Sequence, residues 1–154
     1  NVIFGHRSLS YYETVCGGVG ATDEGPGADA VHSHMTNTAI TDPEILELRY
    51  PVRLHRFEIR HGSGGSGLHR GGNGIIREIE FLEPISLSLL TQHRLEGPYG
   101  MDGGSRGKPG RQQLIHADGT AKELASVCGL EVSPGERLIL ETPGGGGYGR
   151  PQES

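Results

Sequence analysis

Between residues 52 and 93 hydrophobic and polar positions alternate with a two-residue period. In VRLHRFEIR (52–60), Val52 and Leu54 alternate with Arg53 and His55 before the apolar phase moves to Phe57 and Ile59. A strand with a bulge near Phe57, or a two-sided strand, is predicted. GIIREIEFLE (74–83) puts Ile75, Arg77, Ile79 and Phe81 on one face and Ile76, Glu78 and Glu80 on the other; ISLSLLTQH (85–93) aligns Ile85, Leu87 and Leu89. The short Glu83-Pro84 link between these two runs predicts that they pair antiparallel. Further on, QQLIHADGTAKEL holds Asp118-Gly119 between two apolar segments, a hairpin signal, and Pro134-Gly135 sets a turn before a last strand, RLILET (137–142).

Helical character is confined to DPEILELRY (42–50). Thr41 or Asp42 is placed to cap it, Pro43 to open it, Glu44 in the first turn and Arg49 in the last. The expected fold is therefore mainly β: short, largely antiparallel strands, sandwich-like or barrel-like, with one short helix near 42–50. With 154 residues of which 33% are hydrophobic, the chain suits one compact domain over 1–154.

Composition then narrows the chemistry. A formal charge of −5 and the lack of a block of Lys and Arg argue against nucleic acid or an anionic membrane as partner. The apolar runs are too short to cross a bilayer as helices. Cys16 and Cys128 sit far apart in no metal-ligand spacing, so no disulfide framework is expected and a reducing, cytoplasmic setting is the default. The chain opens on NVIFGHRSLSYYET without Met, as a piece of a longer chain would.

Two of the glycine-rich stretches imitate phosphate loops. GSGGSG (62–67) follows a strand and satisfies G-x-G-x-x-G but leads into another strand, whereas a dinucleotide site needs a helix N-terminus there. PGGGGYG (143–149) lacks the Lys and Ser or Thr of a P-loop. Both are read as strand connections where backbones approach closely.

The segment AVHSHMTNTAITDPEILELRYPV (30–52) is richer. If extended, it points His32 and His34 to one face, where a single ion could take both imidazoles. A third ligand would come from His6, Asp29, Asp42 or outside this chain. Against the metal stands a polar turn in which Ser33, Thr36, Asn37, Thr38 and Thr41 satisfy backbone groups. Cys16 is expected to be a small buried thiol and not a nucleophile. Arg70 and Arg77 frame a glycine cluster; either could clamp a carboxylate or phosphate, with exposed ion pairing as the commoner fate.

Together YYETVCGG, VHSHMTNTAITDPEILELRYPV, GSGGSGLHRGGNGIIREIEF and TPGGGGYG resemble the carboxyl-terminal part of the hydantoinase B/oxoprolinase family, in the family's order and from Phe4 to Gly149. The likeness is nearest to 5-oxoprolinases. It implies ATP-dependent opening of a small cyclic amide such as 5-oxoproline or a hydantoin, with ATP handled by a hydantoinase A-like subunit or domain. It implies an oligomeric full enzyme in which a divalent metal of unknown identity can take part. His32 or His34 becomes a candidate general base or metal ligand, Asn37 and Thr38 candidate donors to an oxyanion or substrate, and Arg70 a candidate substrate-binding residue.

Two departures weigh on these expectations. The larger amino-terminal part of a B-type subunit is absent, and Ala39 stands where the resemblance leads one to expect Arg. The isolated chain is accordingly expected to be inactive. A segment of an acetone or acetophenone carboxylase-type subunit, and a structural β module that docks the A-like partner, are the alternatives.

Overall fold

The computed structural model describes residues 2–6, 9–13, 15–29, 43–91 and 96–150. Among the described residues the elements are β1 (Val2–His6), β2 (Leu9–Glu13), α1 (Pro43–Arg49), β3 (Val52–Arg60), β4 (Gly74–Phe81), β5 (Ile85–Leu90), β6 (Arg111–Ile115), β7 (Ala121–Glu123), β8 (Val127–Val132) and β9 (Arg137–Glu141). They form two sheets with strand orders β2-β1-β5-β8 and β3-β4-β9-β6-β7. Every pairing is antiparallel, and each sheet ends in edge strands, so the two do not close into a barrel.

The period-two faces explain why the sheets stack. Ile79 and Phe81 of β4 and Leu138 and Leu140 of β9 meet Phe4 of β1 and Ile85, Leu87 and Leu89 of β5 in one buried cluster, joined by Leu46 from α1. Burying each such side chain contributes roughly 1.5–3 kcal/mol. On β5 burial alternates along the whole strand, Ile85, Leu87 and Leu89 inward and Ser86, Ser88 and Leu90 outward. The ring of Phe4 also lies 4.7 Å from that of Tyr11 and 5.9 Å from that of Phe81, centroid to centroid, tying β2 and β4 to β1.

The expected pairing of 74–83 with 85–93 does not form. β4 pairs with β3 and β9, β5 with β1 and β8. Residues 82–84 carry the chain from one sheet to the other, so that Phe81 and Ile85 face the same core from opposite sides. A short link and matched periods suit a crossover as well as a hairpin, and only the partners decide between them.

The bulge in β3 exists but lies earlier than expected. Leu54 pairs with Ile79 and Arg56 with Glu78, leaving His55 as the extra residue; the shift turns Phe57 and Ile59 to the face they share with Arg77 and Ile75. The Asp118-Gly119 hairpin joins β6 to β7, with Gly119 at φ 91°, a value that favours glycine. Thr120 donates to Asp118 Oδ1 from its amide at 2.9 Å and its hydroxyl at 2.7 Å, and these bonds hold the exposed Asp118 carboxyl below its usual range. Pro43 opens α1 and Arg49 closes it. The cap residues Thr41 and Asp42 lie outside the described residues.

The outer face of the five-stranded sheet is charged. Arg137 reaches Glu78 at 3.3 Å, His55 reaches Glu80 at 2.8 Å, and Arg56 pairs with Glu58. Arg111 holds the Glu123 carboxyl below its usual range. Such partly exposed pairs contribute little each.

Candidate functional site

The glycine-rich segments do not hang from the sandwich as loops. Stretches 17–21, 63–73, 98–108 and 143–149 run alongside one another and exchange backbone hydrogen bonds at every third residue. Ser105 and Lys108 donate to Ser66 and Ser63, Gly147 and Gly144 to Ser105 and Lys108, Tyr148 and Gly145 to His69 and Gly72, Ala21 and Gly18 to Gly146 and Pro143, all at 2.8–3.2 Å. Three residues per turn is the polyproline II period, a conformation without internal hydrogen bonds, so its amides are available for neighbouring chains.

Glycine is what lets these backbones meet. A Cβ on Gly18 would lie 1.8 Å from the Gly72 carbonyl oxygen, one on Gly71 2.0 Å from that of Gly145, and one on Gly144 2.0 Å from that of Ser63. In GSGGSG it is Gly64, Gly65 and Gly67, and in PGGGGYG Gly144, Gly145, Gly146 and Gly147, that pack against other backbones, as strand connections with close backbone approach do.

Polar side chains fasten this bundle to β4. The Ser63 hydroxyl donates to Arg60 O at 2.7 Å and accepts from the Gly74 amide at 2.9 Å. Thr142 Oγ1 accepts from the Ile75 amide at 2.7 Å, and Asn73 Oδ1 accepts from the Gly64 amide at 3.0 Å. Asp29 completes the set, its Oδ1 accepting from the Asn73 amide at 2.6 Å. Ser63, Asn73 and Thr142 are buried, so each satisfies a backbone group that would otherwise be stranded.

This junction brackets the histidine segment. Residues 30–42, which hold His32, His34, Asn37, Thr38 and Ala39, lie outside the described residues. Their two ends are placed. On one side Asp29 is bonded to Asn73 at the root of the bundle. On the other Pro43 begins α1, which Leu46 anchors in the core and whose Glu47 Oε1 accepts the Leu54 amide of β3 at 2.8 Å.

The other residues singled out in the sequence separate clearly. Arg70 is exposed at the bundle, and its carbonyl accepts from Gly27 at 2.8 Å. Arg77, for which exposed ion pairing was the common expectation, is 1% exposed. It shares the inward face of β4 with Ile75 and Ile79, and its guanidinium lies 5.4 Å from the Phe57 ring centroid, a cation–π contact. Cys16 is a buried thiol as expected and Cys128 is half-buried; neither forms a disulfide. Burial pushes the Cys128 thiol up, away from thiolate reactivity.

For a metal, the described residues supply no group of three His, Cys, Asp or Glu side chains. Asp29, one suggested third ligand, spends Oδ1 on the Asn73 amide. His32, His34 and Asp42 lie outside the described residues, as does the side chain of His6. The described part therefore does not assemble a ligand set, and no chemical step is assigned to a metal.

Two features went unnoticed in the sequence. Asp102-Gly103 forms a second tight turn, with φ 49° and 93° and the Gly104 amide donating to Met101 O at 2.9 Å; it is an Asp-Gly pair like 118–119, but no alternating strands flank it. Beside it, burial and then the carboxylates of Asp102 and Asp23 push the Tyr148 phenol up. The second feature is a cleft of about 220 Å³ on the flank of the bundle, lined by glycines together with Ala21, Pro98, Tyr99 and Met101.

The family model for hydantoinase B/oxoprolinase matches residues 1–151. Among curated relatives, 5-oxoprolinase 1 of Arabidopsis thaliana is 48% identical over 149 residues, which are 97% of this chain and 12% of that protein. The crystal structure of an ATP-dependent caprolactamase from Pseudomonas jessenii matches with a TM-score of 0.78 at 30% identity, covering 97% of this chain and 29% of its own. Nucleotide-free acetone carboxylase shares the fold, with a TM-score of 0.77 at 18% identity over 97% of this chain and 25% of its own. The chain thus spans less than a third of the length of each. No helix among the described residues is long and apolar enough to cross a membrane.

Proposed function

The chain belongs to the hydantoinase B/oxoprolinase family, and from that premise we propose that it is the carboxyl-terminal segment of an ATP-dependent hydrolase of cyclic amides, 5-oxoproline foremost. The ATP is used by a hydantoinase A-like subunit or domain. The observation that carries this reading is the 48% identity to a 5-oxoprolinase across 97% of the chain, supported by the fold it shares with a caprolactamase.

Amide resonance protects a lactam carbonyl, and transfer of the ATP γ-phosphate to the amide oxygen converts that oxygen into a leaving group. Water adds to the activated carbon, the ring C–N bond breaks as the nitrogen takes a proton, and a second water hydrolyses the resulting acyl phosphate at carbon, so that the original oxygen leaves in the phosphate. The tasks are to position water, to take its proton, and to stabilise the tetrahedral oxyanion of that hydrolysis. His34 or His32 takes the proton as general base. Asn37 and Thr38 donate hydrogen bonds to the oxyanion. Arg70, exposed as a group that meets a ligand must be, holds a carboxylate or the phosphate by its bidentate fork. Residues 30–42 join Asp29, bonded to Asn73 in the bundle, to Pro43, the first residue of α1.

The test is a substrate panel on the full-length protein with its A-like partner and ATP: 5-oxoproline, a hydantoin, caprolactam and acetone with bicarbonate. Ring opening of a cyclic amide is expected, and this chain purified alone is expected to open none of them and to release no phosphate from ATP. Carboxylation of acetone without lactam opening would move the chain to the carboxylase reading. Normal turnover by a full-length protein from which residues 1–154 are deleted would leave only the structural module.

A further inference from the structure

The cleft on the flank of the bundle is unlike a small-molecule site. No charged side chain lines its 220 Å³, and it opens between apolar groups that stand in solvent: Tyr99 is 69% exposed and Met101 52%. Leu68, 47% exposed, lies at the same end of the bundle, where Gly149 accepts from the Leu68 amide and donates to Met101 O. Small-ligand pockets bury most of their ligand and converge a few polar groups on it. Exposed Tyr and Met around an apolar depression are instead the composition of a protein interface.

Gly20 sharpens the point. Of the glycines lining the cleft, Gly18, Gly145, Gly146 and Gly147 are held to glycine by carbonyl oxygens 1.8–2.2 Å from any Cβ. At Gly20 a Cβ would make only ordinary contacts, 3.8 Å and 3.9 Å from the Gly146 oxygen and nitrogen, and the backbone there does not have the left-handed φ that favours glycine. Neither packing nor conformation requires glycine at this position. A larger side chain would stand beside Gly146 in the cleft, so glycine at 20 keeps the cleft open.

We propose that this cleft is a socket for an apolar side chain from the rest of the same B-type polypeptide. The proposal rests on the reading of the chain as one segment of such a subunit. The caprolactamase chain is more than three times as long as the part it shares with this chain, which covers 29% of it, so that the surplus there is on the same polypeptide. A covalently attached segment reaches the cleft at a high effective concentration, which favours it over a separate subunit.

The test uses the full-length protein with its A-like partner, carrying the photocrosslinker p-benzoylphenylalanine in place of Tyr99. Irradiation is expected to join position 99 to an apolar segment of the same polypeptide outside residues 1–154, as mapped by mass spectrometry. Gly20→Leu, which fills the cleft, is expected to cut that crosslink severalfold, while Gly20→Ala leaves the thermal melt unchanged. A crosslink confined to the A-like partner, an adduct with added caprolactam or 5-oxoproline, or no adduct would each overturn the proposal. Lactam turnover measured on the same preparations keeps the two ideas apart: turnover without the crosslink removes the socket alone, and the crosslink without turnover removes the catalytic reading alone.

Discussion

Gly72→Ala is expected to cost about 4 kcal/mol or more, a large part of the stability of a domain of this size. The new methyl carbon would lie 1.8 Å from the Ala28 carbonyl oxygen and 3.0 Å from the Val19 amide nitrogen. Neither can yield cheaply. Gly72 itself donates to Val19 O at 2.7 Å and accepts from Gly145 at 2.8 Å, while Val19 donates to Ala28 O at 2.9 Å, so relief of the clash breaks backbone bonds inside the bundle. Overpacking costs about 1–3 kcal/mol, and each stranded buried amide or carbonyl about 1–3 kcal/mol more. Against a total stability of about 5–15 kcal/mol, that sum is a large fraction. Gly20→Ala, the same chemical change where the nearest atom is 3.8 Å away, is the matched control. Urea unfolding of the two variants should differ by several kcal/mol; a Gly72→Ala protein as stable as the control would mean that the bundle is not packed as described.

The second large effect is on catalysis. In the full-length protein with its A-like partner, His34→Ala and Asn37→Ala are each expected to lower lactam turnover by about a hundredfold or more, because one general base or one oxyanion donor contributes that much. The melting temperature is expected to stay put, since the segment enters from Asp29 at the root of the bundle and leaves at Pro43 into a helix anchored by Leu46, and those anchors are untouched. Turnover close to that of the unaltered protein, or a fall in melting temperature large enough to explain the loss, would return 30–42 to the role of a polar turn.

The sequence discloses side-chain facts better than backbone ones. The faces of 74–81 and 85–90, the helix at 43–49 and the hairpin at Asp118-Gly119 were all legible because each rests on a local period or a local turn residue. The partner of each strand was not, since Phe81 and Ile85 look the same whether their strands pair or face each other across a core. β1 and β8 escaped notice because Gly5 and Gly129 interrupt short runs. The bundle was invisible for a deeper reason. Its period of three resides in backbone hydrogen bonds, and glycine has no side chain with which to show a pattern; only the exclusion of phosphate loops pointed to it. Arg77 was misjudged because charge suggests exposure, whereas its long stem and planar head lie within the core face beside Phe57. For the candidate site, residue types and spacing nominated His32 and His34, the family resemblance added Asn37 and Thr38, and the structure contributes the two anchors at the ends of their segment, Asp29 and α1.

On the proposed reading, this chain serves a reaction in which ATP activates a lactam at its carbonyl oxygen. The most direct measurement follows that oxygen. The full-length protein with its A-like partner is given ATP and 5-oxoproline labelled with ¹⁸O at the lactam carbonyl, and the products are weighed by mass spectrometry. Glutamate and phosphate are expected in equal amounts, with the label carried into inorganic phosphate. Label retained wholly in the glutamate, or phosphate released without ring opening, would contradict that reading.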